Sequence, residues 1–181
     1  ARNIAIVGED GSTIIGNKTV GGVISDIQMN GGLTANYTNF SAEGLRIEAS
    51  MHVGGISGII SNQTLVGATV ENVTINCTDV RRGIVSGSLG ETSTLKNITY
   101  ENVKGATSII GASYKDNGPI FEEDGVWKKL DIGTIVNING IKGIIFSVED
   151  DEIKAVSVEQ GGEMTWDQSM TWAEQLGDGW K

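Results

Sequence analysis

Cysteine, histidine and proline each occur once in 181 residues, as Cys77, His52 and Pro119. A single cysteine allows no intrachain disulfide and no cysteine cluster for zinc or iron-sulfur. In "VTINCTDV" it reads as a small buried hydrophobe. A serine-histidine-aspartate relay would have to run through His52, yet "SMHVGG" carries no nucleophile pattern, so a structural histidine is expected there. The Gly-rich phosphate loop with its lysine, the His-Glu helix motif and the dinucleotide fingerprint are also missing, so no cofactor or metal is expected. No run reaches the roughly 18 to 20 apolar residues of a membrane span, and no basic-apolar-small leader opens the chain. Membrane insertion within this chain is not expected. A leader or lipid anchor, if there was one, is expected to have preceded Ala1.

Basic charge is scarce as well. Thirteen Lys and Arg face 23 Asp and Glu, a formal net charge of -10 with a pI near 4.5. The excess is uneven: residues 1–115 carry nine acids and eight bases, residues 116–181 fourteen and five. An acidic surface repels phosphate backbones and anionic headgroups, which argues against nucleic acid and peripheral membrane as partners. Sugars and proteins remain.

What is abundant is glycine, 26 residues, and it recurs in order. "VGGVISDI" (Val20 to Ile27), "VGGISGII" (Val53 to Ile60), "RGIVSGSL" (Arg82 to Leu89) and "ATSIIGAS" (Ala106 to Ser113) return every 24 to 33 residues. Between them "TLVGATVENVTIN" (Thr64 to Asn76) and "TLKNITYENVKG" (Thr94 to Gly105) share Thr-Leu, Thr and Glu-Asn-Val, and "TNFSAEGLRIEAS" (Thr38 to Ser50) is a looser copy. Short runs alternate apolar with polar, as in Val73, Ile75 and Cys77, with β-branched residues dominant and Gly, Asn and Ser as punctuation. Strands this short cannot each bury a face alone, so a β-solenoid of about four coils over residues 1–115 is expected, an antiparallel β-sandwich being the alternative.

"VGGISGIISNQTLVGATVENVTIN" and "RGIVSGSLGETSTLKNITYENV" resemble the GLUG repeat, a glycine-rich β-solenoid unit of bacterial surface proteins, over about residues 16–113. The first copy departs from the pattern at Asp26, and the last has lost its leading Gly-Gly. The resemblance implies a solenoid and a cell-surface or secreted setting.

From Lys115 the character changes. In "KDNGPIFEEDGVWKKLD" the acidic turn "EEDG" separates two apolar runs, predicting a linker hairpin over residues 116–130, with Trp127 packing one unit against the other. "GTIVNI", Asn139-Gly140, "IKGIIFSV", the tip "EDDE" and "IKAVSV" then predict a three-stranded meander, because Asn-Gly tolerates the positive φ of a type I′ turn. Thr165 with Gln168 forms a capping box, Met170, Ala173 and Leu176 share a face, and Gly177 follows, predicting one C-terminal helix. The fold class expected is thus mainly β, a solenoid followed by a small α+β unit over residues 131–181.

That last unit, with "GIIFSV" before Trp172, Ala173, Leu176, Gly177, Gly179 and Trp180, resembles the opening of the C-type-lectin-like domains of gut Bacteroidetes surface proteins. The resemblance implies a cell-surface setting, and also that the domain continues past Lys181, with about half of it, including the usual ligand-presenting region, outside this chain and Trp180 left as a core side chain without its partners.

Candidate ligand-binding residues are Trp166, Trp172 and Trp180, since sugar C–H faces pack on aromatic planes; packing within the C-terminal unit is the competing role. "EDDE" (Glu149 to Glu152) lacks calcium-loop spacing and reads as a solvated turn tip. A glycosidase needs two facing carboxylates, and of Glu48, Glu71 and Glu101 the last two hold the same repeat position, which argues for a repeated edge rather than an acid and a base. Asn-x-Ser/Thr triplets start at Asn17, Asn36, Asn39, Asn62, Asn72, Asn76 and Asn97, and Asn72 aligns with Asn102; polar ladders between coils are expected rather than attached sugars. The function expected is non-enzymatic: an adhesive or stalk-like surface or secreted module binding a glycan or a host or cell-surface protein. A β-helix polysaccharide lyase or hydrolase, hinging on Asp79, Arg81 and Arg82 in a deep cleft, and a phage or surface receptor-binding protein are the alternatives.

Overall fold

The structure is a computed structural model that describes residues 1–9, 11–28, 35–90, 92–113, 120–130, 132–138, 140–149, 152–158, and Gln168, Thr171 and Gln175. It is mainly β and divides into two units, Ala1–Lys129 and Leu130–Lys181. Trp166, Trp172 and Trp180 lie outside the described residues. So does nearly all of the expected C-terminal helix, and no helix stands among the described elements.

In the first unit three successive repeats each supply one strand to each of four parallel arrays, and a fourth repeat supplies a strand to two of them. β1 (Arg2–Val7), β5 (Asn36–Glu43), β9 (Thr64–Glu71) and β13 (Thr94–Glu101) form one; β2 (Thr13–Ile15), β6 (Arg46–Glu48) and β10 (Thr74–Asn76) another. β3 (Thr19–Gly21), β7 (His52–Gly54) and β11 (Arg82–Gly83) form the third; β4 (Ile24–Gln28), β8 (Ser57–Ser61), β12 (Ser86–Leu89) and β14 (Ile110–Ser113) the fourth. Pairing among these fourteen strands is parallel throughout, which an antiparallel sandwich does not have.

Register follows the repeat. Val20 pairs with Val53 and Val53 with Arg82; Ile24 pairs with Ser57, Ser57 with Ser86 and Ser86 with Ile110; Thr64 to Glu71 run beside Thr94 to Glu101. A slip of one residue would turn every apolar side chain outward, so the buried columns hold the register. Those columns include Ile47 and Ile75, Leu65 and Leu95, and Ile27, Ile60 and Leu89, all within one contiguous core. Where Phe40 enters that core its column neighbour is the small Ala68, and Tyr37 meets it edge-on with ring centroids 6.1 Å apart.

The repeat begins earlier than its glycine signature. β1 and β2 precede it, and β1 shares with its neighbours a left-handed residue at one height: Asn3 (φ 57°), Asn39 (56°), Gly67 (78°) and Asn97 (58°). Asparagine and glycine are the residues that tolerate this region. A second such column holds Gly44, Asn72 and Asn102. The expected polar ladders are present: Asn102 Nδ2 donates to Asn72 Oδ1 (2.8 Å), Asn39 Nδ2 to Asn3 Oδ1 (3.0 Å), and the Thr64 and Thr94 hydroxyls bond at 2.9 Å.

β15 (Ile120–Glu123) and β16 (Val126–Lys129) form the hairpin expected over residues 116–130, turning at Asp124 and Gly125, both at positive φ. β16 pairs antiparallel with β13 at Thr94, Leu95 and Lys96, so the hairpin extends the first sheet. Trp127 is half-buried against the core of this same unit. In the second unit β17 (Ile135–Ile138), β18 (Ile141–Glu149) and β19 (Glu152–Ser157) make the expected antiparallel meander, joined at positions 139–140 and 150–151. Val136 and Ile145 are buried on one of its faces, and Ile135, Ile144 and Val156 lie in register and exposed on the other.

The glycines of the signature permit close approach of successive strands. A Cβ on Gly54 would fall onto the backbone of Ser57, Val85 and Ser86. Gly54→Ala is expected to lower stability by about 1–3 kcal/mol, the cost of overpacking against backbone that cannot move aside. Urea unfolding of the variant checks this; an unchanged midpoint would show that the strands have room to spare.

Candidate functional site

The outer face of the sheet β2-β6-β10 presents polar side chains in register across three repeats. Each strand has three residues, and alternation buries the middle one: Ile47 and Ile75 are in the core and Ile14 packs against it. The outer residues stand in two columns, Thr13, Arg46 and Thr74 in one, Ile15, Glu48 and Asn76 in the other. Strands about 4.8 Å apart put these six side chains on a regular grid.

Arg46 Nε donates to Glu48 Oε1 at the centre of the grid. Hydrogen bonds from Arg46 first, and from Asn76, hold the Glu48 carboxyl below its ordinary value against the opposing effect of desolvation. The pair is wet, with side chains 53% and 27% exposed. It is therefore worth little to stability and leaves donors and acceptors open to solvent. Ile15, 73% exposed, adds an apolar patch beside it.

Two grooves border the grid. One, of about 330 Å³, is lined by Gly8, Ser12, Gly44, Arg46, Asn72 and Thr74; the other, of about 360 Å³, by Ile15, Asn17, Glu48, Ser50, Asn76 and Thr78. Both cross successive repeats at the corners that flank the short strands. Ser50 Oγ donates to the Asn17 carbonyl across the second groove, tying two repeats together at 2.6 Å.

The other sequence candidates are placed elsewhere. Glu71 and Glu101 stand in register with Glu43 in a single column at the end of the first sheet, while Glu48 belongs to a different sheet, so these carboxylates do not face one another as a pair. The tip at Glu149 to Glu152 closes the β18-β19 hairpin, with Asp150 and Asp151 outside the described residues. Among the described residues no group of three or more His, Cys, Asp or Glu could hold a metal.

Asp79 and Arg81 do form a cluster. Arg81 Nε and Nη2 grip the two carboxylate oxygens at 2.7 and 2.6 Å, the Arg81 amide adds a third bond at 2.9 Å, and Arg82 Nη1 donates to the Cys77 carbonyl. These bonds, led by the Arg81 side chain, hold the Asp79 carboxyl far below the usual range. The cluster clamps the loop between β10 and β11 and lines neither groove. Beside it the Cys77 thiol is buried, donates to the Met51 carbonyl at 2.9 Å, and is pushed up by burial.

His52 is buried, and its Nδ1 lies 2.8 Å from the hydroxyl of Ser88, which has no exposed surface. The pair resembles half of a nucleophile relay but is closed to any substrate, and it links the second repeat to the third. Burial raises the nearby Asp26 carboxyl, an effect His52 opposes.

Comparison with protein-family models finds no match for this chain, and comparisons with curated proteins and with solved structures likewise find none.

Two outcomes test these assignments. Because the Asp79 carboxyl sits below its unfolded value of about 3.9, its pairing stabilises the fold at neutral pH, and this contribution fades as the pH falls from about 5 toward the folded-state value. The stability gap between the wild type and Asp79→Asn is expected to be widest at pH 7 and to narrow on acidification; a constant gap would contradict the clamp. Ser88→Ala strips a buried partner from His52 and is expected to cost about 1–3 kcal/mol in chemical denaturation.

Proposed function

We propose that residues 1–113 wind as a β-solenoid and serve as an adhesive, stalk-like module of a bacterial surface or secreted protein, non-enzymatic, binding an extended ligand along one flank. The parallel pairing of equivalent positions from successive repeats supports the solenoid reading. The grid of Thr13, Arg46, Thr74, Ile15, Glu48 and Asn76, bordered by a groove on either side, carries the binding reading. It offers donors, acceptors and an apolar patch at the spacing of the strands, over a surface too open for chemistry that must exclude water. A net charge of -10 disfavours polyanions and leaves neutral glycans and protein surfaces as ligand classes.

The resemblances to the GLUG repeat and to the C-type-lectin-like opening support the surface setting, and Trp166, Trp172 and Trp180 are a second candidate contact for sugar because sugar C–H faces pack on aromatic planes. The lyase or hydrolase alternative needed Asp79, Arg81 and Arg82 in a deep cleft; with Asp79 and Arg81 engaged by each other, no observation favours it.

Binding of the full chain to immobilised neutral polysaccharides and to cell-surface protein extracts tests the proposal. Arg46→Ala with Glu48→Ala is expected to weaken the interaction by about tenfold, the equivalent of one charge-assisted contact of about 1.4 kcal/mol. Absence of binding to either class would sink the adhesive reading.

A further inference from the structure

Of the two grooves beside the grid, the one of about 360 Å³ has the more regular lining. Three consecutive residues from each of three repeats build it, at positions 15–17, 48–50 and 76–78. Ile15, Glu48 and Asn76, paired in register, form one wall. Asn17, Ser50 and Thr78, all exposed, form the other. Between them lies a floor of small residues set deeper: Gly16, then Ala49 packed against the core, then buried Cys77. The groove therefore runs from repeat to repeat, across the strands rather than along them. Backbone bonds tie neighbouring repeats beneath it at each step: the Gly16 amide donates to the Glu48 carbonyl (2.9 Å), the Ser50 amide to Asn17 (3.1 Å) and the Ala49 amide to Asn76 (3.3 Å). Its spacing is set before any ligand arrives, which lowers the cost of binding.

We propose that this groove binds a single chain of a neutral, β-1,4-linked polysaccharide laid along the stacking direction, one sugar unit to each repeat. The inference rests on the adhesive reading above and narrows it to one ligand class and one groove. Its basis is the period. Strands about 4.8 Å apart repeat the same wall, floor and wall. One pyranose unit of a β-1,4-linked chain advances by close to that spacing, and its equatorial linkages keep the chain extended, so successive rings meet equivalent positions. An extended peptide advances about 3.3 Å per residue and falls out of step within two repeats. A peptide strand also draws its affinity from a free sheet edge, and the walls here are side chains.

The walls suit hydroxyl groups. Asn17, Asn76 and Thr78 carry amides and a hydroxyl, which pair with sugar hydroxyls in either sense. Ser50 spends its proton on the Asn17 carbonyl and keeps its lone pairs for a donor. Among the residues lining the groove Glu48 alone is charged, and Arg46 on its outer side balances it. The lining thus offers carboxylate lone pairs to hydroxyl donors and holds no Lys or Arg to draw an acidic sugar. Ile15, 73% exposed, gives apolar surface to the C–H face of a ring. The neighbouring groove is poorer in this chemistry, since Gly8, Gly11 and Gly44 supply no side chain there.

Calorimetric titration of the full chain with β-1,4-linked oligosaccharides of glucose, mannose, xylose and N-acetylglucosamine, each from one to six units long, tests this. In a series that binds, affinity is expected to rise about threefold or more with each unit up to three, one per repeat, and to level off beyond. Asn76→Ala with Thr78→Ala strips both walls of the third repeat, and this variant is expected to level off at two units while binding the disaccharide as the wild type does. Both side chains are exposed, and circular dichroism and thermal unfolding check that the variant folds. Binding that ignores chain length, or a plateau unmoved in the folded variant, would overturn the groove and leave the adhesive reading standing. Capture of cell-surface protein with no oligosaccharide bound would do the same. A chain that binds neither saccharide nor protein would sink both.

Discussion

Backbone hydrogen bonds between the same position in successive repeats organise the first unit. In a parallel ladder every strand bonds to both neighbours, so a strand inside the stack has no free edge, and its side chains inherit the company of their own equivalents. Three-residue strands such as Arg46–Glu48 and Thr74–Asn76 would not persist alone; as rungs of a ladder they each need contribute only a few bonds. The core columns and the polar ladders are both consequences of that one alignment.

Like stacking on like carries costs as well as benefits. Apolar columns such as Leu65 on Leu95 gain burial at every step, and amide columns such as Asn72 and Asn102 satisfy each other. The column of Glu43, Glu71 and Glu101 brings carboxylates side by side, which is unfavourable, and Glu43 and Glu101 are exposed, where water screens the repulsion. Left-handed asparagines at equivalent heights let each repeat bend in the same place, so the interruption of one strand becomes the interruption of all.

The same alternation separates inside from outside, and with it structure from candidate function. Inward, His52 and Ser88 join two repeats without access to solvent. Outward, the short strands carry Arg46, Glu48 and Asn76 between two grooves. Chemistry that looked suggestive in sequence, a lone histidine and an Asp-Arg-Arg run, is spent on tying repeats and loops together, while the more open surface comes from residues such as Arg46 that sit in the loosest copy of the repeat.

Much of the fold was legible in the residues. Aligning the glycine-rich segments put Val20 opposite Val53 and Ser57 opposite Ser86, and the "EEDG" and Asn-Gly signals placed both hairpins, because local turn chemistry and repeated burial are written into neighbouring positions. Less legible were β1 and β2, whose residues follow the apolar columns but lack the glycine signature. The attachment of the hairpin to β13 was also hidden, since the edge it covers depends on which strands the stack leaves unpaired. By itself, then, the sequence determined the repeat, its register and its turns, all set by which residues tolerate burial or positive φ. Only the tertiary structure decided which polar side chains share a surface: Arg46 and Glu48 come from one repeat and Asn76 from the next, and a sheet built between repeats is what brings them side by side.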